Sequence, residues 1–422
     1  MGQPGNEADR EFDIVVYGAS GFVGKLTAAY LAAAGGGARI ALAGRSTDRL
    51  LAVRDSLGEA AQSWPLIAAD ASQPSTLNAL AARTRVVITT VGPYLRYGLP
   101  LVAACAAAGT DYADLTGEPL FIRRAIDLHH KQAVDTGARI VHACGFDSIP
   151  SDLTVFALYR QAERDGTGEL RDTNYVVRRF AGGMSGGTVA SMTELAREAS
   201  IDPEARQLLN DPYTLTPDRS VEPELGAQPD ARWRRGRDVA PELDGYWVGA
   251  FAMAIPNSRI VRRSNAMLGY AYGRRFEYAE QMSLGRSIVA PVAAAMATAG
   301  NVATIELSSR FLNRVPSTLL ERVLPKPGTG PSERAREQGH YTVETYTTTS
   351  TGARYVARMS QQGDPGYKAT SVMLGESGLA LAMDRDKLSD LRGVLTPAAA
   401  MGDALLARFP AAGVSLEVTR LH

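Results

Sequence analysis

This chain of 422 residues is poor in the chemically distinctive side chains: two cysteines, five histidines and three tryptophans. Cys105 and Cys144 form no C-x-x-C pair, which excludes a disulfide framework and structural zinc. His129 and His130 are adjacent and would point to different faces of a helix, so no metal site is expected. Neither sign of charge is in excess, with 45 basic against 45 acidic residues, and this removes the electrostatic footprint of a nucleic-acid binder. No secretory leader opens the sequence, so a reducing, cytoplasmic setting is expected. Charge-free runs are scarce too. The one that approaches a membrane span is Ser287 to Ile305; its alanines, Pro291 and Asn301 favour a buried or homodimer-interface helix. Peripheral membrane association stays as the alternative, and would suit a lipid substrate.

What is present is an ordinary globular composition, 45% hydrophobic and 21% charged, in a chain long enough for two domains. Residues 1 to 10 are polar and expected to be disordered. Its organising stretch is Phe12 to Gly24. A β-type run, Ile14-Val15-Val16-Tyr17, ends in Gly18, Gly21 and Gly24, and a helix-forming segment starts at once. Strand, tight turn and helix in that order place backbone N–H groups and a helix N-terminus where a dinucleotide pyrophosphate sits. The backbone of Ser20, Gly21, Phe22, Val23 and Gly24 would cradle it. A nucleoside-triphosphate P-loop is excluded, because Leu26 stands where a Ser or Thr must hold magnesium. The plain alternative is a glycine-rich turn without a ligand.

The chain then alternates. A second strand (Arg39–Ala43) exits at Gly44-Arg45-Ser46, where an acid would select NAD; Arg45, assisted by Ser46, instead suits the 2′-phosphate of NADP(H). A third strand ends at Asp70, placed either to reach an adenine amino group or to cap the next helix. Further strands are expected at Arg85–Pro93, Asp111–Thr116 and Arg139–Gly145, with helices at Pro100–Ala108 and Pro119–Thr136. Their exits bring Val91, Gly92, Gly117 and Gly145 to the cofactor crevice. Six strands alternating with helices predict a Rossmann-type, doubly wound parallel sheet over residues 1–150. Beyond it, β-type runs at Asn174–Phe180, Gly245–Met253, Arg259–Arg262 and Phe276–Ala279, with a hairpin at 340–358, predict an α+β domain with a mixed or antiparallel sheet over 151–384. Helices are expected at 367–382 and 397–409. Segment 385–422 is expected to return to the first domain. Residues 325–331 are read as a lid or a linker, and Gly182–Thr188 as a second anion-binding turn or merely the opening of a helix.

Several stretches, Gly18-Ala-Ser-Gly-Phe-Val-Gly24, Ala43-Gly-Arg-Ser46, Val91-Gly-Pro-Tyr94, Asp111-Tyr-Ala-Asp-Leu-Thr-Gly-Glu118 and Cys144-Gly-Phe-Asp-Ser-Ile-Pro-Ser-Asp152, resemble the saccharopine dehydrogenase-like oxidoreductases. The chain is similar, nearly end to end, to their trans-acting enoyl reductase subfamily, which serves polyketide synthases making phthiocerol-type lipids. The resemblance implies NADPH-dependent reduction of an enoyl double bond on a polyketide chain presented by a carrier protein. Such a reaction needs a hydride, a donor to the enolate and a proton for the α-carbon. Tyr94, Tyr97, Glu118, Asp147 and Ser148 lie at strand exits; Tyr94 is the candidate enolate donor and Asp147 its assistant, each with a plain alternative as packing or helix cap. His142 and Cys144 read as core. Two rival functions stay open: a reductase of a small polar metabolite, requiring a charged pocket, and a non-catalytic NADP-binding scaffold.

Overall fold

The computed structural model describes residues 10–182, 186–287, 289–296 and 330–422. Two sheets carry the fold. The first has the order β13-β6-β5-β4-β1-β2-β3, with β1 (Phe12–Tyr17), β2 (Ile40–Gly44), β3 (Leu66–Ala68), β4 (Thr84–Thr89), β5 (Asp111–Ala113), β6 (Arg139–Val141) and β13 (Gly393–Leu395), all parallel. Every residue of β1 and β2 is buried, as a parallel sheet covered on both faces requires. Helices α1 (Phe22–Ala34), α2 (Thr47–Ser56), α3 (Pro74–Ala82), α4 (Tyr94–Tyr97), α5 (Leu99–Ala108) and α6 (Pro119–Thr136) connect its strands. Strand order reverses between β1 and β4, so their C-terminal ends open a crevice.

The second sheet is mixed, in the order β14-β12-β11-β7-β10-β9-β8. Its centre is β7 (Leu170–Ala181), antiparallel to β11 (His340–Thr349) and parallel to β10 (Glu277–Ser283). The hairpin β11–β12 (Arg354–Gln362) falls where the sequence places it. The edges are β14 (Val414–Leu421) on one side and β9 (Trp247–Ala250) with the two-residue β8 (Arg234–Arg235) on the other. Helices α7 (Ile149–Arg164), α8 (Gly186–Ile201), α9 (Pro203–Asn210), α10 (Ala254–Met267) and α11 (Glu333–Gln338) belong to this half of the chain. Helix α12 (Thr370–Met383) returns to pack on the first sheet, and α13 (Pro397–Ala400) and α14 (Gly402–Arg408) follow β13. One apolar cluster runs from Ile14 and Ile88 through Leu374 and Leu381 of α12 and Leu153 of α7 to Tyr341 and Val343, joining the two sheets.

Three expectations are corrected. Arg259–Arg262 lies inside α10, not on a strand. The β-branched pair Ile260-Val261 mimics a strand, but Arg259 and Arg262, three apart, both pair with Asp230 from one helix face. The first sheet has a seventh strand, β13, supplied by the C-terminal segment. That segment does not stay there: its last strand, β14, joins the second sheet, and the helix expected over 397–409 breaks at Gly402, where φ is +32°. Residues 1–9 and 325–329, and residues 288 and 297–305 of the apolar stretch 287–305, lie outside the described residues.

Candidate active site

The turn after β1 is shaped by its glycines. Gly18 has φ of +86°, and a Cβ there would meet Val91 Cγ2 at 2.7 Å. A Cβ on Gly24 would strike the Gly18 carbonyl oxygen, so α1 begins flush against the strand. No side chain caps α1. Its first-turn N–H groups, with the positive end of the helix dipole, are left for an anion. Ser20 sits beside Gly44 at the end of β2, 3.9 Å from a Cβ placed there. Arg45 is exposed just beyond, and Ser46 caps α2 by accepting from the Arg49 N–H at 3.4 Å. Asp70 holds its own turn, accepting from the Ser72 N–H and hydroxyl at 2.9 Å. Those bonds, and then the field of Arg45, keep its carboxyl below the usual range. These residues fit a dinucleotide carrying a 2′-phosphate.

Two buried carboxylates fix the crevice floor. Asp114 accepts from the Thr116 N–H and Ala143 N–H at 3.0 Å, the Tyr112 hydroxyl at 2.9 Å and His142 Nδ1 at 2.7 Å. Ala143 has φ of +64°, so Asp114 helps hold a left-handed backbone that alanine rarely adopts. Glu118 accepts from the N–H groups of Tyr94 and Leu95, at 2.9 and 2.7 Å, and from the Ser191 hydroxyl of α8. Burial raises its pKa, opposed by those three bonds.

The geometry gives Tyr94 a different task from enolate donor. Its phenol donates to the Thr89 carbonyl at 3.1 Å and accepts from the Leu115 N–H at 3.2 Å, tying two strand exits together. Burial pushes its pKa well above the ordinary value. Tyr97 stands 41% exposed, outside the crevice lining. Asp147 does face the crevice. It is half-buried and has no hydrogen-bond partner among the described residues; burial raises its pKa to about 6. Behind it lies a closed polar chain. Ser148 donates to Asn257 Oδ1 at 2.9 Å, and Asn257 donates to Ser151 at 3.2 Å and to Glu280 at 3.0 Å. The Tyr278 hydroxyl also donates to Glu280, at 2.8 Å.

The cavity measures about 220 Å³. Val23, Gly92, Gly117 and Gly145 line it with Gly21 and Phe22. Gly117 and Gly145 bring the backbone close to neighbouring side-chain tips: a Cβ would lie 3.0 Å from Met253 Cε and 2.8 Å from Leu115 Cδ2. The roof was not foreseen. It is made by Thr188, Ser191 and Met192 from the start of α8, by Met253, and by Tyr367 in a π-helical turn, Pro365–Ala369. The Gly186 N–H donates to the Tyr367 hydroxyl at 3.2 Å, and the Tyr367 ring meets Phe22 edge-on at 5.0 Å. The glycines before Thr188 were the available signal; residues 183–185 of that turn lie outside the described residues. A larger hollow, about 500 Å³, opens at the opposite edge of the sheet beside Gly35–Gly37. Its charged residues Glu11 and Arg39 are paired with Arg83 and Asp13, and no reactive group faces it.

Residues 14–141 match the saccharopine dehydrogenase NADP-binding domain. A Mycobacterium tuberculosis protein that carries the name trans-acting enoyl reductase provisionally is 70% identical over 412 residues, 98% of each chain. The trans-acting enoyl reductase of Mycobacterium bovis is 65% identical over 415 residues, 98% of this chain and 99% of that one. Among solved structures, apo saccharopine dehydrogenase (L-Glu forming) from Saccharomyces cerevisiae covers 97% of this chain and 99% of its own with a TM-score of 0.53; at 14% identity the likeness is one of fold. With its nucleotide cradle, its arginine at the end of β2 and these relatives, the chain belongs to the trans-acting enoyl reductases, NADP-dependent oxidoreductases built on the saccharopine dehydrogenase fold.

Proposed function

We propose that this protein reduces the carbon–carbon double bond of an enoyl thioester on a polyketide chain presented by the carrier of a polyketide synthase. The observation that carries the proposal is the lining of the crevice. Among the described residues it contains no lysine or arginine; its one carboxyl is Asp147, and Phe22, Pro93, Leu115, Met192 and Met253 make it largely apolar. An amino-dicarboxylate such as saccharopine would enter with carboxylates that nothing there pairs, a cost of several kcal/mol per desolvated ion. An acyl chain loses water against methionine and leucine instead.

NADPH bound over α1 supplies the hydride. Asp147, with a pKa raised to about 6, can hold a proton at a carboxyl oxygen and give it to the α-carbon side of the substrate. The first turn of α8 points its positive end into the crevice, where enolate charge would develop. Tyr94, Glu118 and Asp114 hold the three strand exits in place. In this reading residues 1–150 carry the cofactor, 151–384 carry the substrate, and 385–422 serve both. Homodimerisation or peripheral membrane contact would use the apolar stretch that begins at Ser287, where Val289, Val292 and Met296 are each more than 60% exposed.

The test is NADPH consumption with pantetheine-linked and carrier-linked enoyl chains of graded length, beside NADPH formation from saccharopine and NADP+, since saccharopine is an amine that gives up a hydride. Turnover that rises with chain length is expected. Turnover with saccharopine alone would transfer the assignment to a polar metabolite, and tight NADPH binding with no turnover on either would leave a scaffold.

A further inference from the structure

The described residues 330–338, which lead into β11 of the second sheet, pass the Phe22 ring at the start of α1. Gly330 approaches so closely that a Cβ on it would collide with the Phe22 ring. Phe22 is the first residue of α1, the helix whose uncapped N–H groups form the cradle. The guanidinium of Arg336 lies over that same ring, 5.4 Å from its centroid. Its Nη1 donates to the Pro331 carbonyl at 2.7 Å, and its own carbonyl accepts from the Asp364 N–H at 2.8 Å, so the residue is anchored on both sides. No ion pair within 4.0 Å neutralises it among the described residues. Asp364 feels its field but is pushed upward by burial. A half-buried guanidinium with donors to spare, beside the first residue of α1 and with no carboxylate within 4.0 Å among the described residues, is an arrangement that a bound anion would complete.

We infer that Arg336 is a ligand of the cofactor's pyrophosphate, reaching the cradle from the half of the chain that builds the substrate side of the crevice. Cofactor binding then bridges the two sheets, and the crevice is complete only when the nucleotide is in place. The inference concerns the cofactor and does not depend on which acyl or polar substrate is reduced.

Binding of NADPH and of NADH to the full chain, followed by nicotinamide fluorescence without acyl substrate, tests it. Arg336→Gln is expected to weaken both nucleotides by a similar factor, about tenfold or more, the size of one charge-assisted hydrogen bond. Arg336→Lys should restore part of the loss, since the charge returns without the planar fork. Arg45→Ala serves as the contrast and should weaken NADPH while sparing NADH, which has no 2′-phosphate. Unchanged affinity in Arg336→Gln, or a loss confined to NADPH, overturns the inference. Should Arg336→Gln not fold, Arg336→Lys decides: affinity equal to the parent for both nucleotides also overturns it.

Discussion

In the proposed mechanism Asp147 is the residue on which the chemistry turns. Its carboxyl has only burial acting on it, and burial favours the protonated form. A general acid with a pKa near 6 loses its proton as pH rises through that value, so the rate of enoyl reduction should fall above about pH 6. Asp147→Asn should lower kcat by roughly 10²- to 10⁴-fold, the usual contribution of a positioned proton donor. NADPH affinity should stay within about twofold, read by the same fluorescence titration. A kcat insensitive to the substitution would remove Asp147 from the mechanism. The strand-exit position of Asp147 was legible in sequence because Gly145-Phe-Asp-Ser-Ile-Pro150 follows directly on β6. What its neighbour Tyr94 does was not legible: whether a phenol's proton is free depends on the Thr89 carbonyl, which the fold brings to it.

At the scale of elements, α12 shows how helix and sheet are brought into contact. Gly375 faces the Tyr30 ring of α1, and Gly378 faces Ile88 of β4; a Cβ on either would enter its neighbour. In an exposed helix Gly→Ala gains about 1 kcal/mol. Here overpacking opposes that gain at about 1–3 kcal/mol, and Ile88 can yield only partly because it is fully buried. Gly378→Ala is therefore expected to be destabilising by about 1 kcal/mol, seen as a lower Tm; a raised Tm would show that the contact is loose. The periodic helices and the parallel strands β1 to β6 could be read from sequence because each signal is local. Helix α10 misled for the opposite reason: the four residues Arg259–Arg262 have strand composition, and only the fold brings Asp230 to Arg259 and Arg262, two of the three arginines buried on this helix. Of the crevice roof only the glycines before Thr188 were legible; Ser191 and Tyr367 are separated from Glu118 and Phe22 by long stretches of chain, and no motif marks them.

Across the whole molecule, three buried carboxyls act together on stability. Burial raises Asp147 to about 6, Asp152 to about 7 and Glu280 to about 8. Each folded-state value lies above the unfolded one, so the native state holds more protons and stability declines as pH rises. For Glu280 the decline spans pH 4.5 to about 8. Glu280→Gln keeps the volume and removes that titration, so the fall in chemical-denaturation stability across this window should become shallower. A slope identical to that of the parent protein would place the proton uptake elsewhere.

The sequence by itself determined the nucleotide half: a strand of apolar residues, three glycines and a helix is a local pattern, and local sterics force the turn. It also supplied the expectation of a phosphate at Arg45, since that reading needs only one side chain at one strand end. Tertiary structure decided which groups are free to react, which strand closes the first sheet and what roofs the crevice. Those outcomes depend on contacts between residues far apart in the chain, where packing and desolvation, not neighbouring sequence, fix the environment of each side chain.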